Sequence, residues 1–266
     1  MPHNKVPFPA VGAYLGACYA IADVELRKLI RDPTELVSRA IQPLLWLLVF
    51  GQVLSRVRAI DTGQVGYLAF MTPGILAQSV LFSAIFYGIS VIWERDLGIV
   101  HKLLVSPASR GSLIVGKAIS ADFRGIVQAV VIYLIAFGLG VAVRADLPAI
   151  AGVALVVTLG AAVFATFSLV IACAVKTRER FMGIGQVLTM PLFFASNAIY
   201  PLQLMPSWLR AIARLNPLTY FVDALRGLMI DGGRSVYGFA WDCIVLLGVF
   251  LVLLLIAVRA YPRLVR

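Results

Sequence analysis

Apolar positions in this chain come in long unbroken blocks, not in the strict alternation of a half-buried strand. Six such blocks, at 36–54, 67–93, 113–141, 150–175, 181–200 and 239–258, each approach or exceed the roughly 20 residues that a helix needs to cross a bilayer. Polar breaks separate them: Arg56, Arg58, Asp61 and Gly63; Glu94, Arg95 and Asp96; Arg144, Asp146 and Pro148; Lys176, Arg178, Glu179 and Arg180. Two stretches have a different period. Over residues 10–31, Val11, Leu15, Ala22, Leu26, Leu29 and Ile30 gather near one helical face, with Asp23, Arg27, Lys28 and Arg31 largely elsewhere. That pattern suits a helix lying on a membrane surface, or one packed on a partner, and periodicity does not separate the two. Residues 201–233 carry Pro201, Pro206 and Pro217 and two short helical patterns near 207–215 and 218–230, each too short or too charged to span. Arg210, Arg214, Asp223 and Arg226 mark polar faces there, and the stretch reads as interfacial or re-entrant helices. Pro43 falls near the start of the first block, where a missing N–H is tolerated, and Pro191 interrupts the fifth. Lys117, Asp122 and Arg124 near the start of the third block place that end outside the hydrocarbon or against water.

Composition identifies the solvent of these blocks. Hydrophobic residues make up 61% of the 266, charged residues only 14%, and the mean hydropathy is +0.94. A soluble domain has about 45–50% apolar and about 25% charged residues. The expected fold is an all-α membrane protein: six transmembrane helices over 36–258, preceded by a cytoplasmic tail and interfacial helix in 1–35 and followed by a basic tail at 259–266. The first apolar stretch is broken by Asp23, Glu25, Arg27 and Lys28, so it does not read as a signal peptide. The net charge of +10 comes from cations flanking the apolar blocks, which points to topology and lipid headgroups, not nucleic acid. With the N-terminus in the cytoplasm, sixteen Lys and Arg fall on inside segments and seven on outside ones, so both termini are expected on the cytoplasmic face of the cell membrane.

Enzyme chemistry finds little support. Cys18, Cys173 and Cys243 are far apart, and His3 and His101 are the only histidines, so no metal or disulfide framework is expected. The chain has no GxxxxGK[ST] loop to cradle nucleotide phosphates, no HExxH and no GxSxG. Its acidic residues are scattered, without the cluster that would hold Mg²⁺ for a membrane-embedded transferase. No block has a central charge of the kind that couples transport to an ion. Polar and aromatic residues inside the blocks, chiefly Gln52, Gln78, Phe82, Gln186, Phe193 and Asn197, could line a substrate path; helix–helix hydrogen bonding and lipid contact are the alternatives. Between the second and third blocks, Leu97, Val100 and Leu104 recur at helical spacing between charged ends, which fits a helix laid in a partner's groove or an ordinary interfacial loop helix.

That loop also carries the most specific pattern: Glu94-Arg95-Asp96-x-Gly98-x-x-x-Lys102-Leu103-Leu104-x-Ser106-Pro107, followed by Arg110 and Gly116-Lys117. It resembles the hallmark loop of type-2 ABC exporter permeases. Glu25 and Arg31-Asp32-Pro33 resemble the interfacial helix and exit of that family. Asn197-x-x-Tyr200-Pro201, Met205-Pro206, Asn216-Pro217-Leu218-Thr219-Tyr220 and Asp223-x-x-Arg226 resemble its fifth span and re-entrant helices. The resemblance covers nearly the whole chain and is nearest the drug-export, daunorubicin-resistance-like branch. It implies a permease that pairs with a second permease copy, identical or related, and docks two ATP-binding subunits. This chain would bind no cofactor itself, ATP and Mg²⁺ being held by those subunits. Residues 94–107 would be the coupling helix, with Glu94, Arg95, Asp96 and Lys102 as polar contacts and Leu97, Val100 and Leu104 as the apolar ones; Glu25 and Arg31 would brace the junction. The cargo would be an amphipathic drug, polyketide or lipid; a permease for a polysaccharide or lipid-linked glycan is the alternative.

Overall fold

The computed structural model describes residues 41–57, 62, 65–99, 110–175 and 177–261, together with Gly16, Asp23 and Arg27 of the N-terminal segment. The described residues form helices joined by turns and loops, with no strand; the nearest approach to a sheet is the bridge between Val143 and Ile230. Helix α1 covers 41–57 and has a π-helical stretch at Trp46–Gly51. Then follow α2 (Tyr67–Asp96), α3 (Arg110–Gly138), α4 (Leu147–Ala174) and α5 (Arg178–Phe194). A 3₁₀ turn at Leu202–Leu204 leads to the short helices α6 (Ser207–Leu215) and α7 (Pro217–Met229), and α8 (Phe239–Ala260) closes the bundle.

The six apolar blocks therefore coincide with α1 to α5 and α8, with shifted ends. Helix α2 continues through the last charged triplet, so Glu94, Arg95 and Asp96 form its final turn and do not open a separate helix. The break comes at Gly98, whose φ of 72° lies where a side chain is strained, and Ile99 is helical again. Helix α3 begins at Arg110, which puts Asp122 well inside it and half-buried. The fifth block stops at Phe194, not Tyr200, because side chains take the carbonyls of its last turn. Asn216 Nδ2 donates to the Leu192 and Ala195 carbonyls (2.7 and 3.2 Å), Ser196 Oγ to Phe193 O (2.7 Å), and the Tyr200 hydroxyl to Phe194 O. Of these helices, α2, α4 and α8 have the length and apolar character to cross a membrane; α1 and α5 are shorter.

Helices α2 and α4 form the centre, and α3, α5, α7 and α8 pack around them. They meet closely at Gly88, where any side chain would strike Ser168 and the Phe181 ring; the Gly88 N–H instead donates to Ser168 Oγ at 3.1 Å. Helix α7 is wedged against α2, α4 and α8, with Phe221, Val222 and Leu225 fully buried and Phe221 packed on Phe164. Helix α8 is the least covered of the three long apolar helices: only 11% of its apolar core stretch is buried by the bundle, and Val252 and Leu255 are more than half exposed. A helix apolar on all sides and covered on so few places its outer face in lipid. The ends of the bundle are defined by packing. Val91 of α2, Ile114 of α3, Cys173 of α4, and Ala257 and Tyr261 at the end of α8 form one buried cluster, so the Glu94 turn and the end of α8 share one end. Tyr67, the 195–206 segment and the 230–238 loop lie at the other.

Candidate functional site

At the Glu94 end the last turn of α2 holds the start of α5 and the end of α4. Arg95 lies across it: its Nε and Nη2 donate to Asp96 Oδ1 (3.2 and 3.0 Å), and its Nη1 donates to the carbonyl of Val175 (3.2 Å), just past α4. Arg178, in the first turn of α5, donates to Asp96 Oδ2 at 2.9 Å and rests its guanidinium 3.5 Å above the Trp93 ring. Asp96 is thus gripped by two arginines, one on each carboxylate oxygen. Slight burial raises its pKa, but the hydrogen bonds and charges of Arg95 and Arg178 outweigh this and hold it below the usual carboxylate value. Glu94 is half-buried and near Tyr261, whose phenol burial, and then the charges of Glu94 and Cys173, push upward. Leu97 follows in the turn with 65% of its surface exposed, and Ile99 is exposed beside it. Of the expected docking residues, the structure brings Glu94, Arg95, Asp96 and Leu97 together. Val100, Lys102, Leu104, Glu25 and Arg31 lie outside the described residues. Arg178 and Trp93, which complete the junction, carry no sequence signal of their own because their partner is 82 positions away in the case of Arg178.

The candidate path residues differ in burial and in the segment that carries them. Gln78 is 2% exposed inside the bundle, its Nε2 without a partner among the described residues. Phe82 is half-buried and stacked near Phe86 (6.1 Å). Phe193 is fully buried and meets Trp46 of α1 edge-on at 5.7 Å. Gln186 is exposed on α5, and Gln52 is half-buried on α1. Gln186 lies on the face of α5 that carries exposed Met182, Val187 and Met190; α1 is likewise exposed at Leu45, Val49, Phe50 and Val53.

Asn197 sits at the far end with polar groups that the amphipathic reading of 201–233 missed. Gly74 of α2 lets this segment lie directly on the helix, since a side chain there would strike the Ala198 backbone. Arg226, read from sequence as part of a polar face, is 7% exposed; its Nη2 donates to the Asn197 carbonyl (2.7 Å), and its guanidinium lies 3.8 Å over the Phe70 ring. Asp223, read the same way, is fully buried: its Oδ2 accepts from Ser235 Oγ (3.0 Å) and Tyr237 N–H (3.1 Å). Ser235 Oγ also contacts Asp242 Oδ2 at 2.7 Å, tying α7 to the first turn of α8. Beside this end, an open apolar cavity of about 610 Å³ lies between the end of α5 and α6, with Pro191, Phe194, Tyr200, Trp208 and Ile212 in its wall.

The model of the ABC-2 type transporter family matches residues 16–230. Among curated proteins, the chain is 33% identical over 200 residues to a protein of Cyanophora paradoxa named as transport permease ycf38, covering 74% of this chain and 69% of that one. It is 27% identical over 214 residues to the daunorubicin resistance ABC transporter permease DrrB1 of Streptomyces coeruleorubidus (79% and 72% covered). It is 26% identical over 205 residues to a Mycobacterium tuberculosis permease named for doxorubicin resistance, DrrC (76% and 72% covered). With most of its length matched by the family, and an all-helical bundle bearing apolar helices that fit a bilayer, the chain belongs to the ABC-2 type transporter family as a transmembrane permease subunit.

Proposed function

We propose that this permease exports an amphipathic drug, polyketide or lipid across the cell membrane, driven by a separate ATP-binding subunit docked at the Glu94 end. Six spans cross the membrane, both termini are cytoplasmic, and two permease copies meet through the apolar faces of α1 and α5. The observation that carries this reading is the Asp96 junction. Arg95 and Arg178 tie the turn leading into residues 100–107 to the ends of α2, α4 and α5. A partner pulling on that turn would move α2 and α5 as one body, because packed elements shift as discrete units. Exposed Leu97 beside the turn supplies an apolar contact, and ATP with Mg²⁺ stays on the partner. The likeness to permeases named for daunorubicin and doxorubicin resistance supports an amphipathic cargo, as does the aromatic wall of the cavity between α5 and α6.

The test is copurification of the full tagged chain from its host membrane. A soluble subunit of ATPase size should accompany the wild type. Leu97→Asp should reduce its recovery by about tenfold or more, since a carboxylate in an apolar groove costs more than about 1.4 kcal/mol. Because Leu97 is exposed, the variant should reach the membrane in normal amounts. Equal recovery of the subunit with Leu97→Asp and Leu104→Asp would overturn docking at this turn.

A further inference from the structure

The end of the bundle opposite Asp96 carries a second, half-open cavity, of about 440 Å³, with features that the transport reading does not use. Its polar wall includes Asn197, Arg226 and Arg234 beside Thr62 and Gln203, and its apolar wall includes Phe70, Leu202 and Ile230. The polar groups are incompletely matched by protein. Asn197 is 1% exposed, and neither its Nδ2 nor its Oδ1 has a hydrogen-bond partner among the described residues. Arg226 spends one N–H on the Asn197 carbonyl and one face on Phe70, and its Nε has no partner among the described residues. Among the described residues no carboxylate forms an ion pair with Arg226. Asp223, three residues earlier, acts on Arg226 through its charge alone and directs Oδ2 to Ser235 and Tyr237. No acidic side chain is among the described residues lining the cavity, and Arg234 adds a second positive charge.

Buried polar groups in folded proteins almost always have partners, and a buried guanidinium without a hydrogen-bonded carboxylate is costly. Here the Asn197 and Arg226 side chains that carry the orphaned atoms line one cavity, far larger than the space a single water occupies. Arginine forks match the oxygens of phosphate, and the Asn197 amide adds a donor to the same group. We infer that this cavity binds the phosphate group of an amphiphile, with Arg226 and Asn197 contacting the phosphate oxygens, Arg234 supplying charge at the same wall, and Phe70, Leu202 and Ile230 covering the adjoining carbon skeleton. Such a group could come from a phospholipid or from a soluble phosphate compound. The inference goes beyond the export reading, because binding requires neither ATP nor the partner subunit.

The test uses the full chain in a maltoside detergent, which has no phosphate, with ATP and the partner omitted. The probes are short-chain phosphatidylglycerol, inorganic phosphate, and a short-chain diacylglycerol without phosphate. Binding is read as a concentration-dependent rise in the melting midpoint. Phosphatidylglycerol should raise it and the diacylglycerol should not. A matching rise with inorganic phosphate would assign the site to soluble phosphate, and its absence would assign it to the lipid. Arg226→Gln and Asn197→Leu should each weaken the response at least about tenfold, the loss expected for a charge-assisted hydrogen bond. Asn197→Leu keeps the test decisive if Arg226→Gln fails to fold, because replacing an orphaned buried amide by an apolar group of similar size is close to neutral for folding. No response to any phosphate probe, or an equal response in wild type and Asn197→Leu, would overturn the site while leaving the export reading untouched.

Discussion

The Asp96 carboxylate shows how one residue can join three helices. Its two oxygens are each held by a different arginine, and one of those arginines also holds the end of α4. The site is partly exposed, with 37% of the Asp96 side chain accessible, so solvent weakens the pairs. Asp96→Asn should therefore cost less than about 1 kcal/mol at neutral pH, the range for exposed ion pairs. The pH dependence identifies the source of that loss. Because the native carboxyl titrates below its unfolded value, its contribution is complete above about pH 4 and fades as the pH falls through the lowered native pKa. Melting midpoints of wild type and Asp96→Asn, measured together in detergent, should differ equally at pH 7 and pH 5 and converge only below pH 4. Convergence already between pH 7 and pH 5 would show that another group is responsible.

At the scale of elements, hydropathy located the long helices but not all of their ends. Blocks such as 239–258 were legible because a bilayer demands a continuous apolar surface, and α8 covers Phe239–Ala260. The end of α5 was not legible: Asn216 and Tyr200 stop it from outside the helix, and only the folded chain brings them there. The charges of α7 misled for a related reason. Asp223 and Arg226 look like a polar face in a helical projection, yet the partners they have come from Ser235, Tyr237 and Asn197, and those contacts offset part of the cost of burial. The Glu94–Asp96 triplet was legible as a landmark, but its pairing with Arg178 was not, because charge alone does not choose among the many arginines of a chain with 23 Lys and Arg. The lipid-facing role of α8 is testable at Leu251, near its middle and 49% exposed. Leu251→Lys should cost about 2.5–3.5 kcal/mol of insertion, the scale for a charge at a span centre. The carbonate-resistant membrane fraction should fall accordingly, whereas Val236→Lys, in the loop before α8, should leave it unchanged. Equal membrane fractions for both variants would mean that the outer face of α8 is covered by something other than lipid.

At the scale of the whole molecule, two ends of different character follow from the packing. One gathers the Asp96 junction, the start of α5 and the end of α8, with Arg178, Arg180 and Arg259. The other gathers the 139–146 turn, the capped end of α5 and the cavity around Arg226; the Val143–Ile230 bridge and the bond from Arg144 N–H to the Met229 carbonyl (2.8 Å) fasten that turn to α7. If the lysine- and arginine-rich end faces the cytoplasm, as the charge bias requires, Arg144 is outside and Glu179 inside. Both positions are open to a reagent: Glu179 is exposed, and the Arg144 side chain is 40% accessible beside Asp146. In a background with Cys18, Cys173 and Cys243 replaced by serine or alanine, Arg144→Cys should react with a membrane-impermeant maleimide in intact cells. Glu179→Cys should react only after permeabilisation. The reverse pattern would invert the molecule, put the Asp96 junction outside, and remove any route by which a cytoplasmic ATPase could reach Leu97. Labelling of both in intact cells would mean that α4, which separates the two positions, does not cross the membrane.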